Sequence, residues 1–208
     1  MQSILTVTTA ATDLTLLTMA ELRKATGIAS GSDDDLAAVG RRVAAAITSH
    51  CNVKTVGATP PTLRLETLTQ TFRLQCPVES LILSRRPLIE IVSVTEDAVA
   101  VESTDYEMRA GIGILDRLCS DYPAWWSASK IIVVYRAGWA TVPDNLRNAA
   151  MKLAAVFWSE GIKVDLSLKR ESIPGVIDRE WWVGPTDDPA IPREVQDLLA
   201  DYINPAIG

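Results

Sequence analysis

His50 and Cys51 stand side by side, and an imidazole beside a thiol is the raw material of a nucleophile and its base. His50 is the single histidine among 208 residues. It falls where a helix is expected to end, and the dipole there favours a protonated imidazole, so a cap or surface role accounts for it. Neighbouring residues on a helix point about 100° apart, which separates the two side chains. A triad also needs an orienting acid. No carboxylate stands in an HExxH, DxDxDG or Glu-x-x-His spacing. The sequence does not ask for catalysis.

Two other clusters have chemical readings and plainer ones. Asp33, Asp34 and Asp35 could hold a cation, but three acids at a helix start are explained by the positive dipole end. Gly111-Ile112-Gly113 could cradle phosphate, yet no helix and no Lys-Ser/Thr follow, so a hairpin turn is expected. Cys51, Cys76 and Cys119 are scattered without a CxxC pair, which predicts free thiols and neither a disulfide frame nor a zinc site. No cofactor or metal is expected.

The tryptophans offer a different chemistry, that of contact. Trp125-Trp126 and Trp181-Trp182 are adjacent pairs in extended or irregular stretches, where neighbours point to opposite sides. One member can seal a core while the other meets a partner, and indoles are enriched at interaction hot spots. Core is the reading favoured for Trp125-Trp126, and both readings stand for Trp181-Trp182. Trp139 and Trp158 read as ordinary core. Ile173 and Pro174 lie in the same aperiodic stretch as the second pair. Interface candidates are therefore Trp181, Trp182, Pro174, Ile173, Trp126, Arg85 and Arg86. The two arginines could face an acidic partner or simply keep a strand edge soluble.

Elements that would position these residues follow from pattern. Thr18 with Glu21 is a capping box, and Gly27 suits a left-handed stop. Leu36, Val39, Val43, Ile47 and Cys51 form one apolar stripe after Ser32. Pro143 opens a third helix that Gly161 should end, and Pro192 opens a fourth. The expected helices are 19–27, 33–51, 143–160 and 193–203. Between 62 and 136 the period changes to that of strands, from TLRLE to KIIVVYR, with Pro and Gly as punctuation. Residues 162–191 have no clear period, and a loop that long is usually functional, disordered, or ordered only by a partner.

The predicted fold is α+β: a small four-helix bundle with an inserted antiparallel β region and a long C-terminal arm. Its parts are an N-terminal arm (1–17), a helical domain (18–56 and 143–208, with the loop 162–191) and an inserted β-rich domain (57–142). Composition excludes several classes. The net charge is −6, and residues 137–208 hold seven basic against eleven acidic side chains. Tight nucleic-acid binding needs a basic surface, which is missing. No apolar run reaches the roughly 20 residues of a membrane span, and MQSILTVTTAATD lacks the basic start of a secretory signal.

Four stretches together resemble the head–tail connector (adaptor) proteins of tailed bacteriophages and gene-transfer particles. They are LTMAELRKATGI with DDDLAAVGRRVAAAITSHC; TQTFRLQ with LILSRRPLIEIVSVTED and DYEM; YPAWW running through KIIVVYRAGWATVPDNLRNAAMKLAAVFW; and ESIPGV with IPREVQDLLADYI. The resemblance implies a non-enzymatic ring subunit, commonly a dodecamer, beneath the portal of the filled capsid. Portal protein would lie on one face and stopper or tail proteins on the other. Genomic DNA would pass through the channel without sequence-specific binding, and no membrane is involved. The protein would be made in the host cytoplasm and end at the neck of the virion.

Within that role, the 162–191 segment is expected to dock on a neighbour or on the portal. Asp187, Asp188, Glu194, Asp197 and Asp201 are expected near the channel or a basic partner, because phosphates slide past like charge. Other classes remain open from the residues alone: another neck or tail-completion protein or a β-rich binding module, and a small hydrolase built on scattered carboxylates.

Overall fold

The computed structural model describes residues 2–162, 170–173, 177–180 and 191–204. It divides into two units: 1–14, 47–143 and 201–208 form one, and 15–46 with 144–200 form the other.

The first unit is built from strands that alternate strictly. β2 (Glu66–Arg73) turns Glu66, Leu68, Gln70 and Phe72 inward, and β9 (Lys130–Ala137) does the same with Ile131, Val133, Tyr135 and Ala137. Side chains on a strand change face at every residue, so a register pairing Leu68 with Tyr135 and Phe72 with Ile131 puts every inward residue on one face. β1 (Gln2–Thr9) pairs with β2, while β4 (Leu88–Glu96) pairs with β9 and with β5 (Val99–Ala100). The result is a five-stranded antiparallel sheet in the order β1-β2-β9-β4-β5.

β3 (Ser80–Ile82), β6 (Tyr106–Arg109), β7 (Ile114–Cys119) and β8 (Tyr122–Ala124) form a second, four-stranded antiparallel sheet around β7. Arg109 pairs with Ile114 across the four-residue turn containing Gly111 and Gly113, as the hairpin reading expected. Leu81 and Leu115 from this sheet join Leu68, Phe72, Ile131 and Val133 from the other in one core. Trp126 is wholly enclosed within it; its Nε1 donates to the Leu115 carbonyl at 3.1 Å, and the Arg117 guanidinium lies 5.7 Å from its ring centre.

The second unit is helical. In α1 (Met19–Thr26) the Thr18 hydroxyl accepts from the Glu21 N–H, and the Glu21 carboxylate accepts from the Thr18 N–H at 2.7 Å. Gly27 ends the helix at φ +76°, with its N–H donating to the Arg23 carbonyl. α2 (Asp33–His50) starts on three acids, of which Asp33 meets Arg23 at 2.5 Å. At Gly40 a Cβ would meet Leu22 Cδ1 at 3.1 Å, so glycine is what lets α1 lie close against α2. α3 (Asp144–Ile162) buries Leu146, Ala149, Ala150, Leu153 and Phe157, and Arg42 stacks 3.9 Å above the Phe157 ring. α4 (Arg193–Leu199) buries Val195 and Leu199.

The expected four-helix bundle with an inserted β region is overturned. Four helices are present among the described residues, but most of the regular elements are strands, and they form two antiparallel sheets of five and four strands. The chain start, expected as an arm, is the sheet strand β1. The stretch expected as an aperiodic arm contains β10 (Arg170–Ile173) paired antiparallel with β11 (Ile177–Glu180). Sheets dominate because pairing over long sequence separations stabilised segments with weak local signals, QSILTVTT above all. α3 also runs through Gly161 to Ile162; a glycine inside a helix costs only about 1 kcal/mol, and a Cβ added there would meet open space.

Candidate functional site

Arg85, Arg86 and Pro87 join β3 to β4, and the two arginines part company there. Arg85 turns into the core, where it is 5% exposed and its Nη2 donates to the Lys54 carbonyl at 2.9 Å. Glu66, Gln70 and Tyr135 surround the same interior, with Gln70 and Tyr135 fully buried. The Gln70 Oε1 accepts from Tyr135 Oη at 3.1 Å and from the Ser84 N–H at 3.0 Å. Glu66 Oε1, Gln70 Nε2, and Arg85 Nε and Nη1 are buried with no hydrogen-bond partner among the described residues.

That environment sets the charges. Loss of water raises the Glu66 carboxyl above its ordinary value, against the opposing pull of Arg85 and the Ala11 backbone N–H. The same loss lowers Arg85, against the attraction of Glu66 and Tyr135. Burial raises the Tyr135 phenol well beyond its ordinary 10. The knot therefore holds a buried acid and a buried base that attract each other, with too little exposure to meet a substrate. Its chemistry is cohesion: it ties β2 and β9 to the segment leading into β4.

Arg86 instead lines a surface cleft of about 290 Å³ with Leu63, Pro87, Gly111, Trp139, Asp201, Tyr202 and Ile203. Trp139 and Tyr202 meet edge to face with ring centres 6.0 Å apart. Arg86 Nη1 and Nη2 point to the Ile112 and Ile203 carbonyls, each at a long 3.4 Å. Two glycines shape this region. A Cβ on Gly113, at φ +74°, would sit 2.9 Å from Arg86 Cγ and Cδ. One on Gly138, at φ +100°, would sit 2.8 Å from the Arg64 carbonyl carbon and 3.0 Å from the Leu63 oxygen. The cleft lining combines two aromatic rings with one cation and one anion, a composition suited to gripping a side chain.

Of the residues singled out in the sequence, Arg86 and Asp201 come together in this cleft. Arg85 lies in the core rather than on a surface. Trp126 lies there too, and the exposed member of its pair is Trp125, at 56%. Glu194 and Asp197 are exposed on α4, and Glu194 pairs with Lys152 of α3. Ile173 ends β10, opposite Ile177. Trp181, Trp182, Pro174, Asp187 and Asp188 lie outside the described residues.

Trp139, Tyr202 and Ile203 were not among the candidates. A hint was available in Gly138-Trp139, an aromatic beside a glycine at a strand end. Trp139 and Trp158 are half-buried and not full core. His50 is half-buried at the last turn of α2. Among the described residues, no group of three or more His, Cys, Asp or Glu converges, and no helix is long and apolar enough to cross a membrane.

No family model matches the sequence, and no curated protein matches it. Solved structures do. One chain, described as from the neck of an empty GTA (gene transfer agent) particle computed with C6 symmetry, is 15% identical, with a TM-score of 0.56. The match covers 98% of this chain and 97% of that one. Another, from the neck of a native GTA particle computed with C12 symmetry, is 14% identical with a TM-score of 0.55 over the same shares. The likeness runs from end to end through both units, so this chain shares their fold.

Proposed function

We propose that this chain is a structural neck protein: a subunit of a homo-oligomeric ring that joins a filled capsid to its tail proteins and leaves a channel for the genome. One observation carries the reading. The chain is similar in fold over 98% of its length to chains of GTA necks, which were computed with six-fold and twelve-fold symmetry. A shared module would match in part, whereas a counterpart matches throughout. Twelve copies, a portal on one face and stopper or tail proteins on the other are the finer form of this proposal.

The chemistry agrees with that role. Among the described residues, the polar interior around Arg85 is sealed as cohesion, and the accessible features include contact features: the Trp139–Tyr202 cleft, Trp125 at 56% exposure and Tyr122 at 75%. Glu194, Asp197 and Asp201 are exposed carboxylates. Facing a channel, they would keep phosphates moving by repulsion. The segment holding Trp181 and Trp182 is proposed as the part of the chain that docks on a neighbour or on the portal.

Particles lacking this chain test the role. DNA-filled heads without tails, restored by the wild-type chain, are the expected result. Tailed, infectious particles in its absence would overturn the reading. The paired change Trp181→Ala, Trp182→Ala tests that segment: normal tail joining by such particles would exclude it as a docking element.

A further inference from the structure

We infer that the free edge of β1 is a docking strand for the β10–β11 pair of a neighbouring copy, so that adjacent subunits share a continuous sheet. The inference rests on the ring proposed above and names the surfaces that would close it.

An exposed sheet edge is a row of unpaired N–H and C=O groups, a template for any extended chain, and folded proteins usually blunt it. Here the other edges are blunted in recognisable ways. β5 has two residues and β3 has three. β8 contains Pro123, which cannot donate to a ladder. β6 carries Glu107 and Arg109, the latter paired with Asp116 at 2.6 Å. β4 slips register at Ile89 and at Val92, which bends its edge. β1 shares only one of these devices, a register slip at Thr8 close to its end, and Gln2–Val7 pair with β2 in unbroken register. Its eight residues, QSILTVTT, include no charge, no proline and no glycine, and it pairs with β2 alone among the described residues. Ile4 is 54% exposed on it.

The occupant follows from a second incomplete sheet. β10 and β11 pair only with each other among the described residues. A lone two-stranded ribbon is marginal in water and gains independent stability from a third strand. Each of its strands has four residues, so β1 is long enough to receive either. Charge favours the match as well. RESI and IDRE are rich in both signs, and a neutral partner sets no like charge against them in any register. Pairing β1 with β1 of a second copy would be isologous and would stop at two. A β1 edge and a β10–β11 pair are different patches on one subunit, which is the requirement for a closed ring.

Amide hydrogen exchange on the isolated chain and on the assembled neck tests this. Outward amides of residues 2–9 and of β10–β11 should both slow on assembly, by roughly tenfold or more. Ile4→Lys should raise the concentration for half-assembly by about tenfold, while the same charge on the opposite edge, Val99→Lys, should change it less than about twofold. Circular dichroism of both isolated variants checks that the fold is intact. A ring whose β1 amides exchange as in the free chain overturns this inference and leaves the neck role standing. Protection of β1 without protection of β10–β11 overturns it too, because the occupant is then something else. A chain found in no ring and at no neck overturns both.

Discussion

Replacing Arg85 with methionine should be among the most damaging single changes in the chain, and the damage should depend on pH in a particular direction. Arg85 is 5% exposed and Glu66 is 3% exposed, so both charges have left water. Removing one member of such a pair leaves the other buried and uncompensated, at a cost of about 3–5 kcal/mol. For a chain of 208 residues, that corresponds to a fall in Tm of roughly 6–20 °C. The double variant Glu66→Gln, Arg85→Met should recover part of this, because no stranded charge remains. A coupling of about 1–3 kcal/mol is expected from the cycle.

The pH dependence adds a sign. The Glu66 carboxyl is raised above its ordinary 4.5 in the folded chain, chiefly by burial and in spite of Arg85. The folded state therefore holds this proton more tightly than the unfolded state does. Its contribution to stability is complete below the unfolded value and is lost as pH rises through the folded one. Without Arg85 the folded value rises further, so Arg85→Met should lose stability more steeply than wild type as pH increases from about 4.5 upward. Glu66→Gln should remove that slope. Urea unfolding followed by near-ultraviolet dichroism across that range gives every quantity. Additive single changes, or an Arg85→Met cost below about 1 kcal/mol, would refute the claim that the pair is desolvated and coupled.

Cys51 is fully buried and its thiol is pushed up to about 12 by burial, whereas Cys76 and Cys119 are exposed; a thiol reagent at pH 8 should label two sites in the native chain and a third only in denaturant. Three rapidly labelled sites would refute that burial. Gly138→Ala should cost more than the ~1–2 kcal/mol of a left-handed alanine, because its Cβ would also press on the Arg64 and Leu63 backbone; thermal unfolding measures it, and an unchanged Tm would show that the strand end can move aside.

What could be read from the sequence divides by distance along the chain. The four helices appear within about two residues of expectation, except at the end of α4. Each is announced locally, by the Thr18 capping box, the acids of 33–35, or prolines at 143 and 192. Strands with β-branched alternation, such as β9, were legible for the same reason. β1 was not, because QSILTVTT becomes a strand through partners such as Thr71 and Leu68, more than sixty residues away. Arg85 was misplaced for a related reason: its burial depends on Glu66 and on the Lys54 carbonyl, neither of them a neighbour in sequence.

The tryptophan pair makes the limit sharper. Alternation dictates that Trp125 and Trp126 face opposite ways, and they do. Which one faces inward is decided by a bridge to Val78, whose N–H donates to the Trp126 carbonyl while the Trp126 N–H donates back to Val78. A register shift of one residue would have exchanged core for surface. The cleft has the same origin, since Trp139 and Tyr202 meet across sixty-three positions of chain. Contact between copies is non-local in the extreme, because no sequence separation connects the two partners at all. Local pattern can therefore say which edges are protected, and the free edge of β1 emerges only by elimination once every described strand has found its neighbour. An interface legible in that way is tested by filling the vacancy or charging it, and Ile4, exposed on that strand, is where a single lysine asks the question.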